Sequence, residues 1–295
     1  MGAKPWLVAI SLAAGMLGFG GPGWAAGLSF FDFGDLLGLK EKVGVVEISG
    51  LLSKSTPIIE DLKRFREDSR IKAIVLRINS PGGVVAPAQE IMREVERTKK
   101  EKKVVASLGS MAASGGYYAA CAADLIMASP GTATGSIGVI LKLANFEELT
   151  KKLGMDFYSL KAGAMKDLGS PFRPLTPQER EVLQKLLNDI HEQFMRDVAR
   201  NRRLPLDKVR ALADGRIFTG EEAVTLGLVD ALGNFNDAVE RAGRLGGIKG
   251  KIELVYPERK GFSWLSLLLG QELKQDLETL LHFYPEPAFL PPWFQ

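Results

Sequence analysis

Ser114 stands in Met111-Ala-Ala-Ser-Gly-Gly-Tyr-Tyr118, just after the apolar run Val104–Ala106 and a series of small residues. The run reads as a buried strand, and from Gly115 onward the pattern becomes helical. A hydroxyl at such a turn is placed to attack a carbonyl. The helix beyond it offers unpaired backbone N–H groups and a positive dipole end to the oxyanion that forms. The same small residues would also serve plain helix–strand packing, so the decision rests on partner groups elsewhere in the chain.

Such a serine needs a second oxyanion donor and a base. Asn79-Ser-Pro-Gly-Gly83 follows the apolar strand Ala73–Leu76, and its glycines predict a turn that can point N–H groups outward. For the base, Lys161 and Lys166 lie in the Gly/Pro-rich stretch Ser159–Pro174, away from any charged helix face. A free lysine, with a pKa of about 10.4, stays protonated near neutrality. It becomes a base only where burial lowers that value by roughly 3 pH units, about 4 kcal/mol. Met165 and Leu168 are compatible neighbours, whereas Asp167 would oppose the change if its carboxylate were close. His191 is the rival base, set midway along an amphipathic helix beside Glu192. Ser110 is the rival nucleophile, without a following Gly-Gly.

Composition removes other chemistries. The chain has 295 residues, 46% hydrophobic and 25% charged, enough for a sizeable core. A net charge of +3 gives no argument for nucleic acid. Cys121 is the single cysteine, so there is no intrachain disulfide or thiolate site, and it reads as a small core residue. His191 and His282 sit apart among charged neighbours, so neither a metal nor a cofactor is expected.

The elements that must hold these residues read as strand followed by helix, repeated. Gly44–Ser49 is expected as the first strand, and Thr56 as an N-cap before Pro57, with Ile58, Leu62 and Phe65 inward. Ala73–Ile78 reads as a strand covered on both faces. Pro87–Lys100 reads as a helix and Leu125–Ala128 as a short strand. Glu147–Leu153 is expected as a helix and Asp156–Leu160 as a strand leading to Lys166. Thr176-Pro-Gln-Glu179 is a capping box opening a long amphipathic helix with Leu183, Leu186, Leu187, Ile190, Phe194 and Val198 at helical spacing. Thr219–Glu222 is a second box, with a stop at Gly227. Asp230 is expected to brace a turn.

Together, Ser80-Pro-Gly-Gly83, Met111–Tyr118, Gly135-Ser-Ile-Gly-Val-Ile140 and Lys166-Asp167 occur in the order found in the signal peptide peptidase A family of serine–lysine proteases. The chain resembles its short, single-repeat bacterial form over roughly Val43–Leu245. The resemblance implies an α/β, ClpP/crotonase-like spiral of strand–helix units. It implies Ser114 as nucleophile, Lys166 as general base, Gly83 and Gly115 as oxyanion donors, and Ser136, Ile137 and Gly138 along the substrate groove. It further implies extended peptide substrates such as signal-peptide remnants, and a homo-oligomeric ring whose neighbouring protomers share the serine–lysine dyad. Two other classes fit parts of the pattern: a crotonase-like acyl-CoA enzyme and a non-catalytic membrane scaffold. The N-terminal segment and the Ser114/Lys166 pair count against the first, and the intact motif set against the second.

Outside the expected protease domain (43–258), residues 1–30 read as a signal anchor or signal peptide. Lys4 precedes an apolar run from Trp6, and an uncleaved anchor is favoured. Residues 31–42 form a linker. The protease domain would then lie on the extracytoplasmic side of a bacterial cytoplasmic membrane. Residues 259–295 are a tail rich in proline and aromatics near its end, and its place is left open.

Overall fold

Strand runs that are apolar at nearly every position need cover on both faces. Lys42–Leu52 (β1), Ile71–Val84 (β2) and Lys103–Ala113 (β3) receive it. The computed structural model describes residues 41–257 and the two-residue strand Ala288–Phe289. The expected anchor and most of the expected linker and tail lie outside the described residues. Among the described residues no helix is long and apolar enough to cross a membrane.

β1, β2 and β3 run parallel, with Val46 beside Leu76 and Leu76 beside Ala106. One edge of β3 then serves two strands. Leu125–Ala128 (β4) lies along Val105–Leu108, and Ala133–Gly135 (β5) lies along Met111–Ala113. Ile217–Thr219 (β6) pairs antiparallel with β5, Ala231–Leu232 (β7) parallel with β4, and Glu253–Val255 (β8) parallel with β1. Ala288–Phe289 (β9) pairs antiparallel with β2.

Alternate residues of β2 feed two cores. Ala73 and Val75 join Ala238, Val239 and Ala242 of the helix Phe235–Leu245. Ile74, Leu76 and Ile78 join the larger cluster with the helices Thr56–Glu67 (α1), Val85–Thr98 (α2) and Gly115–Ala120 (α3). Each such aliphatic side chain contributes about 1.5–3 kcal/mol on burial. These cores fix the strand ends that carry the chemistry.

After β5 come Glu147–Lys152 (α4) and the long helix Pro177–Arg202 (α5). The Thr176–Glu179 box forms in both directions, at 3.2 and 2.9 Å. Arg203, at φ 55°, ends the helix before Leu206–Leu212 (α6). The second box forms at Gly220–Leu226 (α7), which stops at Gly227, and Phe235–Leu245 is α8.

Three local expectations are corrected. The N-cap of α1 is Ser55 rather than Thr56, and its side chain bonds Glu90 instead of the helix end. Asn79–Gly83 is not a turn. β2 continues through it, and Gly82 and Gly83 face Leu51 and Leu52 of β1 after a register shift. The proline and glycines change the pairing without ending the strand. Asp156–Leu160 is not a strand: these residues lie exposed, with Leu160 fully so, and no sheet edge of the described chain reaches them.

Candidate active site

β3 ends at Ala113 and α3 begins at Gly115, so Ser114 alone makes the reversal. It does so at φ 52° and ψ −116°, a conformation that L residues rarely adopt. Such strain costs on the order of 1–3 kcal/mol and persists only where neighbours enforce it. Here the Ser114 N–H donates to the Gly135 carbonyl at 2.8 Å, and its carbonyl accepts from the Tyr118 N–H at 2.8 Å. The side chain is buried, and its Oγ is the one buried side-chain polar atom among the described residues without a hydrogen-bond partner. A buried hydroxyl left unpaired is costly in a fold that needs only packing.

The strand beside it is built for close approach. A Cβ on Gly83 would lie 2.2 Å from the Leu52 carbonyl oxygen, and one on Gly116 2.9 Å from that of Ser80. A Cβ on Gly115 would sit 3.2 Å from the Gly83 nitrogen, so the two expected oxyanion donors are neighbours. Ser80 braces this end of β2: its Oγ donates to the Gly50 carbonyl at 2.6 Å and accepts from the Gly82 N–H at 3.1 Å. Sequence reasoning missed this role, although a serine hydroxyl readily bonds backbone groups one or two residues away.

Behind α3, the Tyr118 hydroxyl donates to Asp197 of α5 at 2.5 Å, and its ring lies 4.4 Å from that of Phe194. Burial, followed by the Asp197 carboxylate, pushes the Tyr118 phenol far above its usual range, so it stays a donor. Tyr117 donates to the Leu228 carbonyl at 2.9 Å. These two consecutive tyrosines tie the short helix to Leu228 and to α5. An open cavity of about 780 Å³ lies between α2 and α5 on the Tyr118 side, walled by Arg93, Arg97 and Arg200 already paired with carboxylates.

The segment expected to line the groove departs from regular backbone too. Gly135 and Ser136 have φ values of 81° and 51°, and the Ser136 N–H donates to the Arg216 carbonyl at 2.8 Å. Ser136 and Ile137 are buried, and Gly138 packs beside Gly215. His191 Nε2 lies 3.2 Å from the Ile137 carbonyl oxygen, so it contacts the backbone there and not Ser114. Ser110 is exposed on β3, whereas Ser114 is wholly buried. Asp230 accepts from the Ile126 N–H at 2.7 Å and pairs with Arg202 at 2.6 Å, as a brace should. Cys121 is buried, and burial pushes its thiol far above the usual range.

Lys166 is not brought to Ser114 by a hydrogen bond within one chain. It sits exposed on a turn, its N–H donating to the Gly163 carbonyl at 3.1 Å. Asp167 turns to Arg173 at 2.9 Å, to Ser159 at 3.2 Å and to Lys161 at 3.4 Å. Lys161 is therefore engaged, while Lys166 has no ion pair among the described residues. Among those residues no cluster of histidine, cysteine or carboxylate side chains has the makings of a metal site.

Comparison with known proteins places this geometry. Residues 96–249 match the family model described as peptidase family S49. A Synechocystis protein provisionally named a protease is 43% identical over 218 residues, covering 73% of this chain and 78% of the relative. An Enterococcus faecium protein provisionally named signal peptide peptidase SppA is 38% identical, over 62% of this chain and 53% of its own length. The chloroplastic serine protease SPPA of Arabidopsis thaliana is 34% identical, over 80% of this chain and 37% of its own. A family model spanning the strained serine turn and a close relative covered over most of both chains lead to one conclusion: this chain belongs to peptidase family S49, the signal peptide peptidase A family of proteases.

Proposed function

We propose that the protein is a membrane-associated serine endopeptidase in which Ser114 attacks the scissile carbonyl and Lys166 takes its proton. Gly83 and Gly115 donate to the oxyanion, and Ser136, Ile137 and Gly138 line the groove for extended peptides with small or apolar side chains, including signal-peptide remnants. The observation that carries this reading is the strained, buried Ser114, whose hydroxyl has no partner while the Gly83 backbone nitrogen lies beside the start of α3. A lysine base needs apolar surroundings. Lys166 is exposed in the single chain, on an arm that also exposes Leu149, Leu153, Tyr158 and Leu160. A second copy closing over that arm would supply the surroundings and bring one protomer's lysine to its neighbour's serine, in a ring held at the membrane by the N-terminal segment.

The test mixes Ser114→Ala with Lys166→Ala under conditions of subunit exchange. Each variant alone should lose peptide hydrolysis and stay folded, since the two groups act as one unit. The mixture should regain activity at interfaces that join an intact serine to an intact lysine. Demonstrated exchange with no recovered activity would put the dyad within one chain. A fluorophosphonate probe that labels Ser114→Ala as well as the parent would remove Ser114 as nucleophile.

A further inference from the structure

α3 has six residues, under two turns, and opens on two glycines without side chains. A helix that short does not hold itself in water. Its placement nonetheless decides the Ser114 turn, because the Ser114 carbonyl accepts from the Tyr118 N–H at 2.8 Å. The side chains after the glycines must therefore fix it. Tyr117 does so against the Leu228 carbonyl, through a neutral bond. Tyr118 meets a carboxylate.

That carboxylate stands where an apolar side chain would be expected. Asp197 lies on α5 among the buried Phe194, Met195 and Val198, and its side chain is 9% exposed. A carboxylate out of water is destabilising unless several donors receive it, and an apolar residue of similar size would pack there without that penalty. Its donors are Arg200 at 2.6 Å, Arg93 at 3.5 Å and the Tyr118 hydroxyl at 2.5 Å. Both arginines also pair with Glu96 at 2.8 Å, so neither needs Asp197 for a partner. What Asp197 adds is a charge-assisted anchor for Tyr118, stronger than a neutral bond. Phe194, three residues earlier on α5, packs its ring 4.4 Å from that of Tyr118, so one helix grips this side chain by both ring and hydroxyl.

We infer that Asp197 is a positioning residue for the Ser114 turn: through the Tyr118 hydroxyl it sets α3, and through α3 the Ser114 side chain and the Gly115 N–H. The effect on hydrolysis rests on the peptidase reading; the hold on α3 does not. Misplacing a reacting group by about 1 Å can slow a reaction about 100-fold, so a helix loosened by part of that should slow it about tenfold.

Tyr118→Phe removes the hydroxyl and leaves the ring on Phe194. It should lower kcat about tenfold and leave KM for an extended peptide within about twofold. A fluorophosphonate should label it about tenfold more slowly, to the same final stoichiometry. The unchanged end point separates a displaced serine from a smaller folded fraction. Asp197→Asn keeps an oxygen that accepts from Tyr118 and should retain kcat within about threefold, whereas Asp197→Leu should match Tyr118→Phe. Tyr118→Phe combined with Asp197→Leu should lose no more than either alone, because both remove one contact. Parental kcat and labelling rate in Tyr118→Phe, or a combined loss equal to the product of the single ones, overturns the proposal.

Hydrogen exchange at residues 115–121 reads the hold on α3 without catalysis. It should run about tenfold faster in Tyr118→Phe and in Asp197→Leu than in the parent, with β2 equally protected in all three. Equal exchange in α3 across the three chains overturns the anchor. If exchange rises as expected while the parent neither hydrolyses peptide nor takes the probe, the hold on α3 stands and the peptidase reading fails.

Discussion

At the scale of single residues, steric limits separate the two glycines proposed as oxyanion donors. Gly83 has backbone against it: a Cβ would fall 2.2 Å from the Leu52 oxygen and 2.6 Å from its nitrogen. Gly83→Ala should cost about 2 kcal/mol or more in chemical denaturation, because a paired strand must move. Gly115→Ala meets only contacts of 3.2–3.3 Å, which a shift of a few tenths of an ångström relieves. That variant should unfold within about 1 kcal/mol of the parent. It should still lose activity, since the shift falls on the Gly83 nitrogen and the start of α3. Equal stability losses in the two variants would contradict this geometry. The strand-to-helix turn at Ser114 was legible in the sequence because an apolar run, small residues and a helical pattern from Gly115 carry their own local signal. The positive φ values of Ser114 and Ser136 were not, since neither serine announces them: Ser114 is held by Gly135 and Tyr118, and Ser136 by the Arg216 carbonyl.

At the scale of elements, sequence patterns worked where an element carries its own signal. The capping boxes at Thr176 and Thr219 and the apolar run of β2 needed no distant information. Patterns failed where a neighbour decides. Pro81-Gly-Gly83 stays in a strand because β1 follows it, and Asp156–Leu160 stays out of one because no described edge meets it. What holds the Lys166 arm at its base is charge. Arg173 pairs with Asp167 and with Glu179 at 2.6 Å, and the Phe157 and Phe172 rings stack at 4.0 Å. The Arg173 guanidinium, and then the Thr176 N–H, hold the Glu179 carboxyl down at about 2. Arg173 first, then Ser159 and Lys161, lowers that of Asp167. Both folded-state values are depressed. Their stabilising contribution is therefore complete above the ordinary carboxylate range and is lost as pH falls from about 4.5 towards 2. Hydrogen exchange over residues 155–175 should rise in that window while the β2 core stays protected. Glu179→Gln should show fast exchange in the arm already at neutral pH, with a smaller further rise on acidification. A parent arm indifferent to pH across that window would show that the ion pairs do not hold it.

At the scale of the whole molecule, the described chain buries a complete core yet leaves one region unlike an ordinary surface. Leu149, Leu153, Met155, Phe157, Tyr158 and Leu160 are all exposed, close in sequence, between α4 and the Lys166 turn. Val182 and Leu186, on the first half of α5, are exposed as well. Soluble monomers rarely carry so much apolar surface in one place, and such patches mark contact sites. The sequence showed the helical stripe of α5 but not which part of it the core would use. Leu183, Phe194 and Val198 are buried, whereas Leu186 remains outside. If a second copy covers the arm, Tyr158→Glu with Leu160→Glu should disrupt assembly, because two carboxylates would have to be desolvated at the contact. Sedimentation should show the parent as an oligomer and the double variant as a monomer with an unchanged unfolding midpoint. Peptide hydrolysis should fall at least 100-fold, about 2.7 kcal/mol in transition-state stabilisation, because no neighbour then brings Lys166 to Ser114. A monomeric variant with parental kcat/KM would show that each chain completes its own site. An oligomer that survives both substitutions would place the interface elsewhere.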